Sequence, residues 1–164
     1  MTKFPDKRRV MDALVESLTA ALQHTVHSAE EVRREATHSE ARPENDKDTR
    51  ALEQTYLARG QAIRAEALVE QLQVLRTLPL TTLGPNASIA AGALIALEDE
   101  ASGQRFVFLA PFGGGETVRV DDIDVLVVTP VSALGRALLG KQVGDEFELR
   151  VRGNPRDYLI VAVS

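Results

Sequence analysis

The sequence predicts an α+β protein. An N-terminal antiparallel α-helical coiled-coil hairpin is followed by a small C-terminal domain, an antiparallel sheet plus a short helix. Three observations carry this expectation. Two long stretches before residue 79 place apolar or small residues at alternating three and four spacing, the period of a coiled-coil seam. Between them stands a polar stretch, Ser39 to Arg50, with the only proline between Pro5 and Pro79. From Gly92 onward the hydrophobic period becomes that of strands.

Composition narrows the function classes. A chain of 164 residues makes one medium domain or two small ones. The absence of cysteine excludes disulfides and thiolate metal sites. With no tryptophan and few aromatics, a large aromatic-lined pocket is not expected. The net charge of -5 argues against a duplex-DNA binder, which needs a basic face to neutralise phosphates. No apolar run approaches the ~18 residues that span a membrane, and the N-terminus lacks the apolar core of a signal peptide. A cytoplasmic protein with no membrane partner is expected.

Helix one is expected from Asp6 to about Glu40, with Asp6 at its cap. Its seam reads Met11, Leu14, Leu18, Ala21, Thr25, Ser28 and Val32, and Glu35 takes the next position. The seam therefore weakens toward the turn. Helix two is expected from residue 46 to about 78. Its seam reads Leu52, Tyr56, Gly60, Ile63, Ala67, Gln71, Val74 and Leu78, widened by Leu68, Leu72 and Leu75. The leucine-rich end of helix two matches the leucine-rich start of helix one, as an antiparallel hairpin requires. Each arm of about 33 residues would be roughly 50 Å long at ~1.5 Å per residue. The expected domains are a hairpin over 1–78 with its tip at about 40–50, a linker over 79–90, and a C-terminal domain over 91–164.

Within that domain, Ala93–Leu97 and Arg105–Leu109 flank a polar turn and predict a hairpin. The continuous apolar run Val125–Thr129 predicts a buried strand, stopped by Pro130. Ser132 can cap a short helix, Ala133 to Leu139, ended by Gly140. Phe147–Arg152 alternates cleanly, Gly153-Asn154-Pro155 reads as a turn, and Tyr158–Val163 is the last strand.

Three motifs are set aside. Gly135 to Gln142 nearly fits a phosphate-binding loop, but Gln142 stands where magnesium needs Ser or Thr. His24 and His27 are metal-spaced, yet only Glu31 stands beside them, and a solvated helix face explains them. Gly113-Gly114-Gly115 reads as a loop.

The turn between the helices is the candidate site. Glu44, Asp46 and Asp48 fall within a turn and a half at a helix start. One reading is complementation of the helix dipole, with Asn45 as cap. The other is a carboxylate set at the end of a rod, sharing a divalent cation with a partner. The residues alone leave both open.

A resemblance bears on that choice. The run Val128 to Asp145 resembles the C-terminal signature of bacterial Gre transcript cleavage factors, "S-P-(I/L)-(G/A)-R-A-L-(I/L)-G-K-x-x-G-D". Ser132, Leu134 to Lys141, Gly144 and Asp145 match it, and Ala133 replaces the proline. The order of parts agrees over nearly the whole chain, and it implies an FKBP-like C-terminal domain. The family tip reads like "G-D-x-(K/S)-E-N-A-E-Y". Glu44-Asn45 matches its Glu-Asn pair, but Ala41 stands at the family's aspartate and cannot ligate metal. Glu44 to Thr49 is also similar to the "Glu-Asn-x-x-Asp-Thr" tip of a divergent Gre-like branch.

The resemblance implies an accessory factor to RNA polymerase, with no enzymatic activity of its own and no sequence-specific DNA contact. Ser132, Gly135, Arg136 and Lys141 would lie in the docking part at the rim of the secondary channel. Glu44, Asp46 and Asp48 would assist the polymerase near its catalytic magnesium, an ion held only in the complex. Asp46 and Asp48 enter this set on their chemistry alone. Asn45, Arg42, Lys47 and Arg50, with Arg33 and Arg34 further down, would approach the RNA 3′ end through phosphate. The expected function is promotion of cleavage of backtracked RNA. The alternative, motivated by Ala41, is a channel factor that inhibits or tunes the polymerase without cleavage. An FKBP-like prolyl isomerase and a coiled-coil adaptor are two further classes.

Overall fold

The computed structural model describes residues 3–39, 47–84, 86–100 and 102–164. Two long helices come first, α1 over Lys7–Ser39 and α2 over Lys47–Thr77. Asp6 caps α1, accepting a hydrogen bond from Arg9 N at 2.9 Å. α2 stops two residues before Pro79, which cannot continue a helix. The chain divides into two compact units: Met1–Val15 with Val74–Ser164, here the sheet unit, and Glu16–Gln73, here the arm unit.

The sheet unit holds six strands in one sheet: β1 Leu94–Asp99, β2 Gly103–Leu109, β3 Thr117–Val120, β4 Ile123–Val128, β5 Glu146–Val151 and β6 Asn154–Val163. Their order is β3-β4-β2-β1-β6-β5. The expected antiparallel sheet is corrected here to a mixed one, because β2 and β4 run parallel, Phe106 opposite Val125 through Leu109 opposite Val128. The cause lies in β3 and β4. They form a hairpin across Asp121 and Asp122, both left-handed at φ 52° and 61°. The hairpin presents β4 to β2. From Val125 to Val128 β4 is a continuous apolar run that tolerates burial on both faces, whereas β3 alternates exposed and buried residues and suits an edge.

β6 also differs from expectation. It begins at Asn154 and runs through Pro155. There only β5 pairs with it, since β1 joins at Tyr158, so proline's missing N–H faces an open side. The reversal is made one residue earlier, at Arg152 and Gly153, φ 52° and 84°.

One face of the sheet buries Ile95, Leu97, Val107, Leu109, Val128, Tyr158 and Ile160 against Ile89 and Leu138. The helix segments within this unit bury Val10, Met11, Leu14 and Leu75. Phe4 meets Phe106 edge-on at 5.6 Å between ring centroids. Gly113 makes room for Leu14, whose Cδ1 would lie 2.6 Å from an added Cβ. Lys7 Nζ donates to the Thr81 carbonyl at 2.8 Å, and Arg9 pairs with Asp121. At the far end of β1, the buried carboxylate of Asp99 accepts from Arg156 at 3.3 Å and from Ser102, with Arg105 3.7 Å away. Paired in this way, the buried charge is compensated.

Candidate functional site

Two parts of the chain carry the expected site residues. In the sheet unit they gather at α3, Ala133–Leu138. Ser132 Oγ accepts from Gly135 N at 3.0 Å and donates to the Thr129 carbonyl at 2.8 Å, closing the first turn. Gly135 is forced by space: a Cβ there would lie 1.9 Å from the Thr129 oxygen. Leu138 is fully buried, and Gly140, at φ 77°, donates to the Ile89 carbonyl while Ile89 N donates back to Lys141 O. Lys141 Nζ sits 5.9 Å from the centre of the Phe147 ring, which stacks on Tyr158. Asp145 Oδ2 accepts from Gln142 N at 2.8 Å and holds the turn into β5.

The near-match to a phosphate loop is thus a packed knot. Its residues 129–145 are spent on their own geometry. Its exposed members include Val131, 76% exposed, and Arg136, whose guanidinium donates back to the Val131 carbonyl. Beside them opens a shallow, mainly apolar cavity of about 490 Å³, lined by Gly114, Leu126, Val128, Thr129, Val131 and Leu134 among others. Such a surface can take an apolar side chain with a charged neighbour on Arg136.

The arm unit carries the rest. The α1 seam is where it was expected: Leu18 and Thr25 are buried, and Ala21, Ser28 and Val32 half-buried. The α2 seam is not. Its covered positions follow a three-four alternation through Gln54, Ala58, Gln61, Ala65, Leu68 and Leu72, continued by Leu75 in the sheet unit, and of the expected positions in the arm unit Gln71 is half-buried beside them. Leu52, Tyr56 and Ile63 are 55%, 65% and 58% exposed. The leucines Leu68 and Leu72 set the phase, and a regular helix carries that phase outward onto Gln61 and Gln54. The weaker apolar set at Leu52, Tyr56 and Ile63 is left outside. Thr25 meets its burial by donating to the Ala21 carbonyl at 2.8 Å. Gln54 Oε1 is buried with no partner among the described residues.

Arg42, Glu44, Asn45 and Asp46 lie outside the described residues, as does Ala41. Lys47 and Asp48 open α2, and Arg50 is exposed in its first turn. Arg33 and Arg34 are exposed on α1 and share a shallow depression with Glu30 and Thr37. His27 pairs with Glu31 at 3.3 Å on the exposed face of α1. Among the described residues, no three histidine, aspartate or glutamate side chains stand together to hold a metal. No helix among them is long and apolar enough to cross a membrane.

A helical pair with a polar distal seam, joined to a mixed sheet tied by a capped-helix knot, defines a hairpin-bearing factor. Known proteins say which. Residues 85–164 match the family model "Transcription elongation factor, GreA/GreB, C-term". Transcription elongation factor GreA of Thioalkalivibrio sulfidiphilus is 30% identical over 120 residues, 73% of this chain and 71% of the relative. GreA of Methylococcus capsulatus is 29% identical over 167 residues, 99% of this chain and 98% of the relative. The crystal structure of Thermus aquaticus Gfh1 is 23% identical with a TM-score of 0.38, covering 93% of this chain and 94% of that one. The chain belongs to the GreA/GreB family of transcription elongation factors.

Proposed function

We propose that this protein binds RNA polymerase through the secondary channel and inhibits or tunes elongation without stimulating transcript cleavage. The observation that carries the reading is Ala41. It stands where the family tip pattern has an aspartate, and a methyl group offers no oxygen to a cation. Two-metal hydrolysis needs a second ion held by oxygen ligands, and the tip offers one fewer at this position. Glu44 and Asn45 keep the family pair, so the tip keeps a means of approach while losing a ligand. Family membership supports the partner. The FKBP-like character of the sheet unit belongs to the same reading, with no prolyl isomerase activity expected.

In this reading the α3 surface docks at the channel rim. Val131 and Arg136 make the contact, and Ser132, Gly135 and Lys141 hold it in shape. Arg42, Lys47, Arg50, Arg33 and Arg34 are the cations available to RNA phosphate. Cleavage remains the competing reading on one specific ground: Asp46 and Asp48 add carboxylates beside Glu44.

The experiment uses purified polymerase stalled in a backtracked complex. The expected result is no added cleavage at saturating protein, with normal competition against a known channel binder. Ala41→Asp is then expected to gain cleavage. Cleavage by the unaltered protein, lost on Glu44→Gln, Asp46→Asn or Asp48→Asn, would overturn the proposal in favour of the cleavage reading. No capture by core polymerase would remove the partner altogether.

A further inference from the structure

α2 carries an apolar stripe that its own hairpin leaves open. At about 100° per residue, Leu52, Tyr56, Gly60, Ile63 and Ala67 fall within roughly 80° of the helix circumference. The covered residues Ala65, Leu68 and Leu72 lie on the far side. Single exposed apolar residues are ordinary, but an aligned set of this length is not. Gly60 sharpens the point. A glycine in mid-helix weakens it, and nothing among the described residues requires one there: an added Cβ meets none of their atoms within 4 Å.

We propose that this stripe pairs with the same stripe of a second copy of the chain, α2 against α2 and antiparallel, about a two-fold axis between Arg59 and Gly60. The register is self-complementary. It sets Tyr56 of one copy opposite Ile63 of the other and Leu52 opposite Ala67, and it lays the stem of Arg59 over the bare Gly60. In an antiparallel pair each flank faces its own counterpart. Glu53 and Arg64 share one flank, and Glu53 of one copy falls within two residues of Arg64 of the other, about 3 Å along the axis. The two-fold repeats this ion pair. The charge pattern therefore favours a second copy over a partner of a single sign.

Three large side chains and a few small ones cover well under the ~800 Å² per partner of a stable complex. The pairing is accordingly weak, with half-association at about 10 µM or above. It occupies the outward face of the arm, so pairing and insertion into a polymerase channel exclude each other. That consequence rests on the polymerase reading, and the pairing itself does not.

Sedimentation velocity on the full chain tests it, from about 5 to about 300 µM, in the weakly associating range. The expected result is a concentration-dependent shift from monomer toward dimer. Ile63→Glu and Tyr56→Glu should stay monomeric, with circular dichroism showing that their helices persist. Glu53→Arg alone should weaken association by about threefold to tenfold, and Glu53→Arg with Arg64→Glu should restore it. A monomer at every concentration overturns the proposal. So does a dimer indifferent to Ile63→Glu, or a charge swap without rescue. A protein that never dimerises but loses polymerase binding on Ile63→Glu would assign the stripe to the polymerase instead.

Discussion

Replacing Gly135 with alanine is expected to break the α3 knot, and the cost can be worked from its geometry. The new Cβ would stand 1.9 Å from the Thr129 oxygen and 2.7 Å from the carbonyl carbon behind it, where real Cβ contacts essentially never fall under 3.0 Å. About an ångström of movement is needed, and neither side is free to give it. The Thr129 carbonyl is held by Ser132 N at 3.0 Å and by Ser132 Oγ at 2.8 Å, and Gly135 N is held by the same Oγ. Leu138, one turn along, is fixed in the core. Overpacking costs about 1–3 kcal/mol, and each hydrogen bond that yields adds about 1 kcal/mol. A total of about 3–5 kcal/mol is a large share of the ~5–15 kcal/mol that holds a domain together. Hydrogen exchange of the amides over 129–145 reads this loss locally, which suits a chain of two compact units. Ala133→Ser, exposed in the same helix, is the control and should change little. A Gly135→Ala protein within about 0.5 kcal/mol of the parent would refute the reasoning.

Three other expectations follow from the packing. Leu72→Ala should destabilise the arm by about 2–5 kcal/mol while Ile63→Ala stays within about 0.5 kcal/mol, the reverse of what the apolar spacing of α2 suggests; thermal melts at low concentration distinguish the two. Gly60→Ala should stabilise the monomer by about 0.5–1 kcal/mol, read by the same melts at a concentration where no pairing occurs. Burial lowers the pKa of Lys7 below its usual 10.5. The unfolded chain then holds the proton more tightly than the folded one, so Lys7 contributes a stability that rises with pH between the lowered folded value and 10.5. Lys7→Gln should flatten that rise in denaturation measured from neutral to alkaline pH, and an unchanged slope would sink the assignment.

The helices, and most strands, were readable because their signals are local. Asp6 and Pro79 mark where α1 begins and where α2 must have stopped, and the leucines at the helix bases announce their own burial. The outer seam of α2 was not readable in the same way. Leu52, Tyr56 and Ile63 form a better apolar pattern than Gln54, Ala58 and Gln61, and only the phase imposed from Leu68 and Leu72 decides between them. β3 is hard to read from the sequence for a related reason. Its turn places Asp121 and Asp122 in left-handed conformations that usually announce themselves by glycine or asparagine. Once β3 is missed, the parallel pairing of β2 with β4 cannot be foreseen, since it follows from the hairpin's presence. Pro155 looked like a strand breaker because nothing local says that β1 ends short of it. The candidate site residues around α3 are legible as a run, but their structural reasons are not: Gly135 is read from the Thr129 oxygen, which spacing alone does not reveal.

The division of the chain has a consequence for its length. The sheet unit is built from two separated pieces, Met1–Val15 and Val74–Ser164, so the arm unit is an insertion within it, entered at residue 16 and left at residue 73. Both helices of that insertion repeat their seam in steps of three and four. Removing seven residues from each, and so one repeat from each strand of the coil, keeps every remaining seam residue in phase. The arm then loses roughly 10 Å at ~1.5 Å per residue while no residue of the sheet unit changes. Arm length is thereby a quantity this architecture can alter in discrete increments, independently of the sheet unit.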